Sequence, residues 1–304
     1  MKEYYGHGKL LLTGEYTVLD GALSLAVPTR FGQYLRVQLG VNQGITWTSL
    51  DHSGTPWLAL RWSLLESDQP EVIVGETGAA LRLVEILQAA EQLKSGTLAQ
   101  LKGLAITTEL EFDREWGLGS SSTLFHCLGE WLSVDPFALL AATFGGSGYD
   151  LACAAAGGPI EYQLVGGAPQ WSEIDWSPDW LVRTYFVYRN QKQNSRAGIR
   201  KYREKPADLG TIEAITALTE ALKECEFFGD ARRIITEHER ITSSIIDQPA
   251  VKDALFPDFP GAIKSLGAWG GDFMWVATEL DDRRVRAYFF DKGFPTVLGW
   301  SDMI

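Results

Sequence analysis

Apolar and polar positions along the chain follow two periods. In "YYGHGKLLLTGEYTVLDGALSLAVPT" the pattern predicts a short strand ending near Leu12, a turn at Thr13 and Gly14, and a loop through Gly21. A second apolar strand follows from Leu23 to Val27, closed by Pro28. "QYLRVQL" and "GITWTSL" alternate as paired strands do, and "PWLALRW" reads as a third. The period then lengthens: "GAALRLVEILQAAEQL" puts Leu81, Val84, Leu87 and Ala90 on one helical stripe. "LAITTELEF" is strand-like again and leads into "REWGLGSSST", residues 114 to 123. "LFHCLGEWL" reads as a packed helix, "PFALLAATFGGSGYDLACAAAG" as a helix, a tight turn and a second small-residue segment, and "IEYQLV" as a strand.

The Gly/Pro/Ser-rich passage at 166 to 180 reads as a connection between two domains, 1–170 and 171–304. Beyond it come the strand "VRTYFVYR", a basic polar loop and two helices. Ile212, Ile215, Leu218 and Leu222 share a face of the first helix. In the second, Asp230 reads as a cap and Ile234, Ile235, His238, Ile241 and Ile245 as the inward side. "GAIKSLGAWGGDFMWVATEL", "VRAYFF" and a short tail complete the chain. Strand and helix segments alternate without a fixed repeat, so the fold class is α+β with two domains.

Charge narrows the function. Against 27 Lys and Arg stand 39 Asp and Glu, a formal net charge of -12, which disfavours long-range attraction to a nucleic acid. A small phosphorylated ligand needs only a local cluster of donors and stays admissible. Three dispersed cysteines form neither a disulfide framework nor a paired metal motif, which fits a reducing cytoplasm. No stretch reaches the roughly 20 apolar residues of a membrane span.

Four segments carry candidate chemistry. In "GLGSSST", Gly117 and Gly119 allow close backbone approach, and a helix starting near Ser120 would aim unpaired amides at an anion. Ser120, Ser121, Ser122 and Thr123 add hydroxyls for phosphate or magnesium; the alternative is an ordinary serine-capped helix. The stretch matches neither GxSxG nor the usual P-loop. Lys9 lies just inside an apolar strand, ahead of Glu15 and Tyr16, and reads either as a surface lysine or as a fixed cation. Asp150 follows a glycine turn, as a helix cap or as a group that takes an alcohol's proton. Gly267, Gly270 and Gly271 form another glycine turn, with Lys264 ahead of it, open to a ligand or simply a hairpin.

Together these segments resemble the GHMP kinase superfamily, in its mevalonate and phosphomevalonate kinase branch. "KLLLTGEYTVLDG" resembles the first motif, "GLGSSST" the central PxxxGLGSSAA loop, "GGSGYDLA" the PSGxD segment and "IKSLGAWGGDF" the C-terminal GAxxxGAGxGG turn. The GYD-L-A form is also close to a bacterial GYDIA-motif subgroup of GHMP kinases. The resemblance implies an N-terminal domain like the second domain of ribosomal protein S5, a ferredoxin-like C-terminal domain, and ATP with Mg²⁺. It implies catalytic roles for Asp150 and Lys9, a magnesium contact for Ser121, and phosphate contacts from residues 117 to 122, Leu118 included, with Gly267, Gly270 and Gly271 in the C-terminal turn. Glu15 and Tyr16 of the first motif fall on the substrate side, as do Ser195 and Arg196 of the basic run "YRNQKQNSRAGIRKY". The latter would recognise a carboxylate or phosphate by arginine pairing.

Mevalonate kinase is the leading reading, ahead of phosphomevalonate kinase, diphosphomevalonate decarboxylase and a noncatalytic binding homologue; a homodimer stays open. Three departures stand out. The branch often carries a magnesium-binding Glu about eleven residues before the Asp, where this chain has Leu139 and Leu140. Trp269 replaces a small residue, with Asp272 close by, and "FDREW" lacks the usual proline.

Overall fold

The computed structural model describes the chain except residues 42–43, 64–69, 192–194, 268 and 270–271, and the side chains of residues 195 and 196. The chain divides into two compact units. Unit 1 comprises Met1–Gly8, Phe31–Arg114 and Leu118–Ala155; unit 2 comprises Lys9–Arg30, Glu115–Gly117 and Ala156–Ile304.

Strands β1 (Lys2–Leu11) and β2 (Ser24–Leu39) run through both units. Pro28 does not end β2, as the sequence suggested. It falls between residues 24–26, which pair with one neighbour, and residues 33–39, which pair with another, so its missing N–H costs neither of those ladders a bond. Unit 1 continues with β3 (Ile45–Leu50), β4 (Pro56–Trp62), β5 (Glu71–Val74), α1 (Thr77–Leu93), α2 (Thr97–Gln100), β6 (Leu104–Leu110), α3 (Ser120–Leu132), α4 (Pro136–Thr143) and α5 (Tyr149–Ala155). Its strands lie in the order β5-β4-β3-β6-β2, with β3 and β6 parallel and the other pairs antiparallel. The alternating burial of β3 and β6 turns Ile45, Trp47 and Ile106 into the core with Leu83, Val84 and Leu87 of α1 and Phe125 and Leu128 of α3. The stripe of α1 is rotated from the expected one: Ala80 and Leu83 are buried, whereas Leu81 is exposed.

Unit 2 holds β7 (Ile160–Val165), β8 (Ala168–Glu173), β9 (Thr184–Tyr188), α6 (Ser195–Glu204), α7 (Leu209–Lys223), α8 (Phe228–Ile246), α9 (Val251–Leu255), β10 (Gly261–Ser265), β11 (Phe273–Thr278), α10 (Asp282–Asp291), β12 (Val297–Gly299) and α11 (Trp300–Met303). The supposed connection at 166–180 contains β8, paired antiparallel with β7 across a two-glycine turn. Its glycine content reflects the left-handed geometry of Gly166 and Gly167 rather than a linker. The second sheet has the order β10-β11-β9-β12, with every pair antiparallel. Helices α6 to α9 connect its first strand to its second and α10 its third to its fourth, the split βαβ arrangement of ferredoxin-like folds. All six residues of β11 are buried, as expected for a strand covered on both faces.

Candidate functional site

Unit 1 carries the serine-rich loop and Asp150. Gly119, with φ at +90°, sits at the N-cap of α3 and offers no capping side chain. The amides of Ser120, Ser121 and Ser122 therefore head the helix without an intrahelical acceptor, a ready place for an anion. Two hydroxyls of the run are used internally: Ser122 Oγ donates to the Gly119 carbonyl at 2.8 Å, and Thr123 Oγ1 donates to Gln33 Oε1 at 2.6 Å. Ser121 is exposed at the helix start, and Leu118 is fully buried just before it. α3 packs against α5, which carries Asp150 in its first turn. Asp150 is not a cap: α5 begins at Tyr149, and the Gly148 carbonyl accepts from Leu151 and Ala152. The half-buried carboxylate accepts from Leu151 N at 3.1 Å through Oδ1.

Unit 2 carries the lysine and the glycines. Lys9 Nζ donates to the Gly117 carbonyl at 2.9 Å, which ties the strand lysine to the first glycine of the loop motif. Gly117 and Gly267 both have φ at +68°. A Cβ built on Gly117 would lie 2.4 Å from the Asp272 carboxylate, and one on Gly267 2.9 Å from it, so Asp272 requires glycine at both places. Asp272 is itself buried in a left-handed conformation at φ 55°. Gly117→Ala is expected to lose about 1–3 kcal/mol of stability from this clash and the backbone strain. Combining it with Asp272→Gly should recover part of the loss in urea denaturation; no recovery would show that the carboxylate is not the obstacle. Gly267 lies in the connection between β10 and β11, and Gly270 and Gly271 lie outside the described residues.

The first motif contains more buried charge than the sequence suggested. Glu15 is fully buried, and its Oε1 pairs with the equally buried Lys264 Nζ. Lys264 is thus spent on Glu15, which corrects its expected role of neutralising a ligand at the glycine turn. His238 Nε2 accepts from Gly14 N at 2.9 Å and lies 3.6 Å from Glu15 Oε2, so the ring is oriented by the motif's backbone. Glu239, one residue on, accepts from Ser265 N at 3.0 Å, Ser265 Oγ at 3.1 Å and Val251 N at 3.2 Å. Burial raises the Glu15 pKa to about 7 despite the opposing pull of Lys264, and burial followed by the charge of Lys264 drives that of His238 well down. Tyr16 follows at φ 63°; burial, then the charges of Glu15 and Asp272, push its hydroxyl up to about 12.

The basic run is a helix from Ser195 onward rather than a loop. Ser195 and Arg196 form its first turn, their side chains outside the described residues, as is Lys192. Asp230, expected as a cap, lies inside the first turn of α8 and pairs with Arg233, while Phe227 occupies the cap position.

No protein-family model matches this chain, and no curated protein matches it in sequence. Solved structures do match in fold. Methanococcus jannaschii mevalonate kinase superposes with a TM-score of 0.72 at 11% identity, covering 98% of this chain and 96% of that one. Streptococcus pneumoniae phosphomevalonate kinase, in complex with phosphomevalonate and AMPPNP, gives 0.70 at 17% identity over 98% and 100%. Lactococcus lactis galactokinase complexed with galactose gives 0.67 at 10% identity over 100% and 94%. The chain has the GHMP kinase fold.

Within the GHMP kinase fold, the position expected to supply a magnesium carboxylate is filled by Leu139 and Leu140, both buried in the unit 1 core. Among the described residues no group of three or more His, Cys, Asp or Glu could hold a metal ion. The donor set fits a magnesium ion that arrives on nucleotide phosphates and meets the exposed Ser121 hydroxyl, and it does not fit a preformed carboxylate cage. Sequence reading missed Glu239 and counted His238 only as part of an apolar stripe. The signal was present as two adjacent ionisable residues on the buried side of α8.

Proposed function

We propose that this protein is an ATP-dependent phosphotransferase acting on an alcohol group of a small acidic metabolite, with mevalonate the leading acceptor. The observation that carries the reading is the GLGSSST motif at the uncapped start of α3, in a chain with the GHMP kinase fold whose Lys9 holds the motif's first carbonyl. In the reaction, the acceptor's hydroxyl oxygen bonds to the γ-phosphorus as the bond to the β,γ-bridging oxygen breaks. ADP leaves, and the hydroxyl proton passes to Asp150. The amides of Ser120 to Ser122 hold phosphate oxygens, and Lys9 steadies the loop and offsets developing negative charge. Mg²⁺, when bound, neutralises charge on the phosphates, with Ser121 as its protein contact.

Phosphomevalonate is the second acceptor, supported by the Streptococcus pneumoniae enzyme's likeness in fold. A coupled ADP-release screen against mevalonate, phosphomevalonate, diphosphomevalonate, homoserine and sugars, with mass analysis of products, separates these readings from decarboxylation. Nucleotide binding without ADP release on any acceptor would favour a noncatalytic homologue. Ser121→Ala is expected to raise the Mg²⁺ concentration for half-maximal rate about 10-fold; an unchanged magnesium titration would remove Ser121 from the metal.

A further inference from the structure

A cavity of about 380 Å³ lies wholly within unit 2, walled by α6 and the C-terminal end of α8. Its floor is the buried cluster of Tyr16, Tyr202, Ile246 and Trp269. The Tyr16 and Tyr202 rings lie 5.4 Å apart and 30° from parallel. α6 reaches Tyr16 only because residue 198 is glycine: a Cβ there would lie 2.5 Å from the Tyr16 hydroxyl. The rim is charged, with Lys201, Glu204 and Lys205 from α6 and Asp247 beyond α8.

We propose that this cavity takes the phosphoryl acceptor and that Lys201, Lys205 and Trp269 select a compact anion with an apolar body; the proposal rests on the kinase reading above. Three features support it. First, the floor offers contact area and few polar partners. The Tyr202 hydroxyl is engaged with Asp20 and accepts from Ala207 N at 3.3 Å, so a polyhydroxylated sugar would lose water without gaining enough hydrogen bonds in return. Second, Lys201 and Lys205 stand one helical turn apart on the same face of α6, the spacing at which two side chains meet one carboxylate or phosphate. Lys201 is already drawn towards α8, its Nζ 3.3 Å from the Ile246 carbonyl. Glu204 and Asp247 repel an anion from the other parts of the rim, which confines the charged end to the lysine pair. Third, the volume is near the lower end of the range for small-molecule sites, and the indole of Trp269, where related motifs carry a small residue, takes up part of the floor.

Of the basic residues noted in sequence, Lys201 thus faces the cavity, whereas Arg203 is turned to Asp20 at 2.6 Å. Lys205, just beyond the run, joins Lys201, and the site's specificity comes from an aromatic floor that no single motif contains.

The test is calorimetric titration of the full chain with mevalonate, phosphomevalonate and galactose, with AMPPNP titrated separately. Both anions should bind the wild type and galactose should not. Lys201→Gln/Lys205→Gln should weaken anion binding by 10-fold or more and leave the AMPPNP affinity unchanged; both positions are exposed, so the fold should persist. Equal loss for mevalonate and phosphomevalonate would assign the carboxylate to the lysines, and a larger loss for phosphomevalonate would assign the phosphate, each in support. Trp269→Phe, which preserves a ring in the floor, should weaken the anions less than the lysine pair does. Anion affinity unchanged in the double lysine variant, tighter binding of galactose than of mevalonate, or no anion binding to the wild type would overturn the proposal. A parallel ADP-release assay separates the two layers. Normal turnover with unchanged KM in the lysine variant defeats the cavity assignment alone. Anion binding without ADP formation defeats the kinase reading and leaves the cavity to be decided by the lysine titrations.

Discussion

Asp150→Asn is expected to lower turnover by about 10²–10⁴-fold, the usual contribution of a positioned general base, while folding and AMPPNP binding persist. The substitution is nearly isosteric. Asn retains an amide oxygen that can accept from Leu151 N, the one hydrogen bond described for the Asp150 carboxylate, so the first turn of α5 keeps its local support. What it loses is the capacity to take a proton. The packing of α5 on α3 depends on Leu151, Ala152 and Cys153, all buried and unchanged. The readouts therefore separate cleanly: single-turnover ADP formation should fall, while the urea midpoint and AMPPNP affinity stay near wild type. Full turnover in the variant would remove Asp150 from the chemistry. A lost nucleotide affinity would instead assign it to the phosphate side.

The order of elements was legible because the two apolar periods are clean where one face is buried. β3 and β6 alternate, α3 and α7 carry their stripes, and the four motif segments fall at turns between elements. What was hidden had two physical causes. Where both faces of an element are covered, as in β11, periodicity carries no direction, and where a polar residue finds a buried partner far along the chain, local pattern cannot show it. Lys264 is the clearest case: beside a glycine turn it reads as a ligand contact, but its partner is Glu15, some 250 positions earlier. Composition misled at 166–180, where the glycines serve a hairpin, and at α6, where a polar run conceals a helix buried mainly through Tyr202. The chemistry-bearing segments were readable from residue types and spacing; the structural network that holds the first of them was not.

That network makes the second large prediction. Lys264→Met leaves Glu15 buried without its cation and is expected to cost about 3–5 kcal/mol, a large share of the roughly 5–15 kcal/mol that holds a typical domain together. Adding Glu15→Gln removes the stranded charge, so the double variant should be more stable than Lys264→Met alone; a double variant as weak as the summed singles would mean that the two side chains do not depend on each other. The same group makes stability depend on pH. Glu15, with its pKa at about 7, keeps in the folded chain a proton that the unfolded chain has released above about pH 4.5, so its contribution falls as pH rises from 4.5 to 7. Glu239, raised by burial, tilts the same way. His238 does the reverse: below about pH 6.5 the unfolded chain takes up a proton that the buried ring refuses, so stability falls as pH falls. Lys264 from β10 faces all three, and the Asp272 and Arg189 charges lie at the edge, where the Asp272 and Glu239 carboxylates favour the charged form of Arg189 against its burial. The two slopes oppose each other in the wild type. Glu15→Gln should therefore uncover a stability that rises with pH up to about 6.5, and His238→Gln one that falls from about pH 4.5 to 7. Urea midpoints measured across pH 4.5 to 8 decide the matter, and variants that track the wild-type curve would show that neither group titrates with the fold.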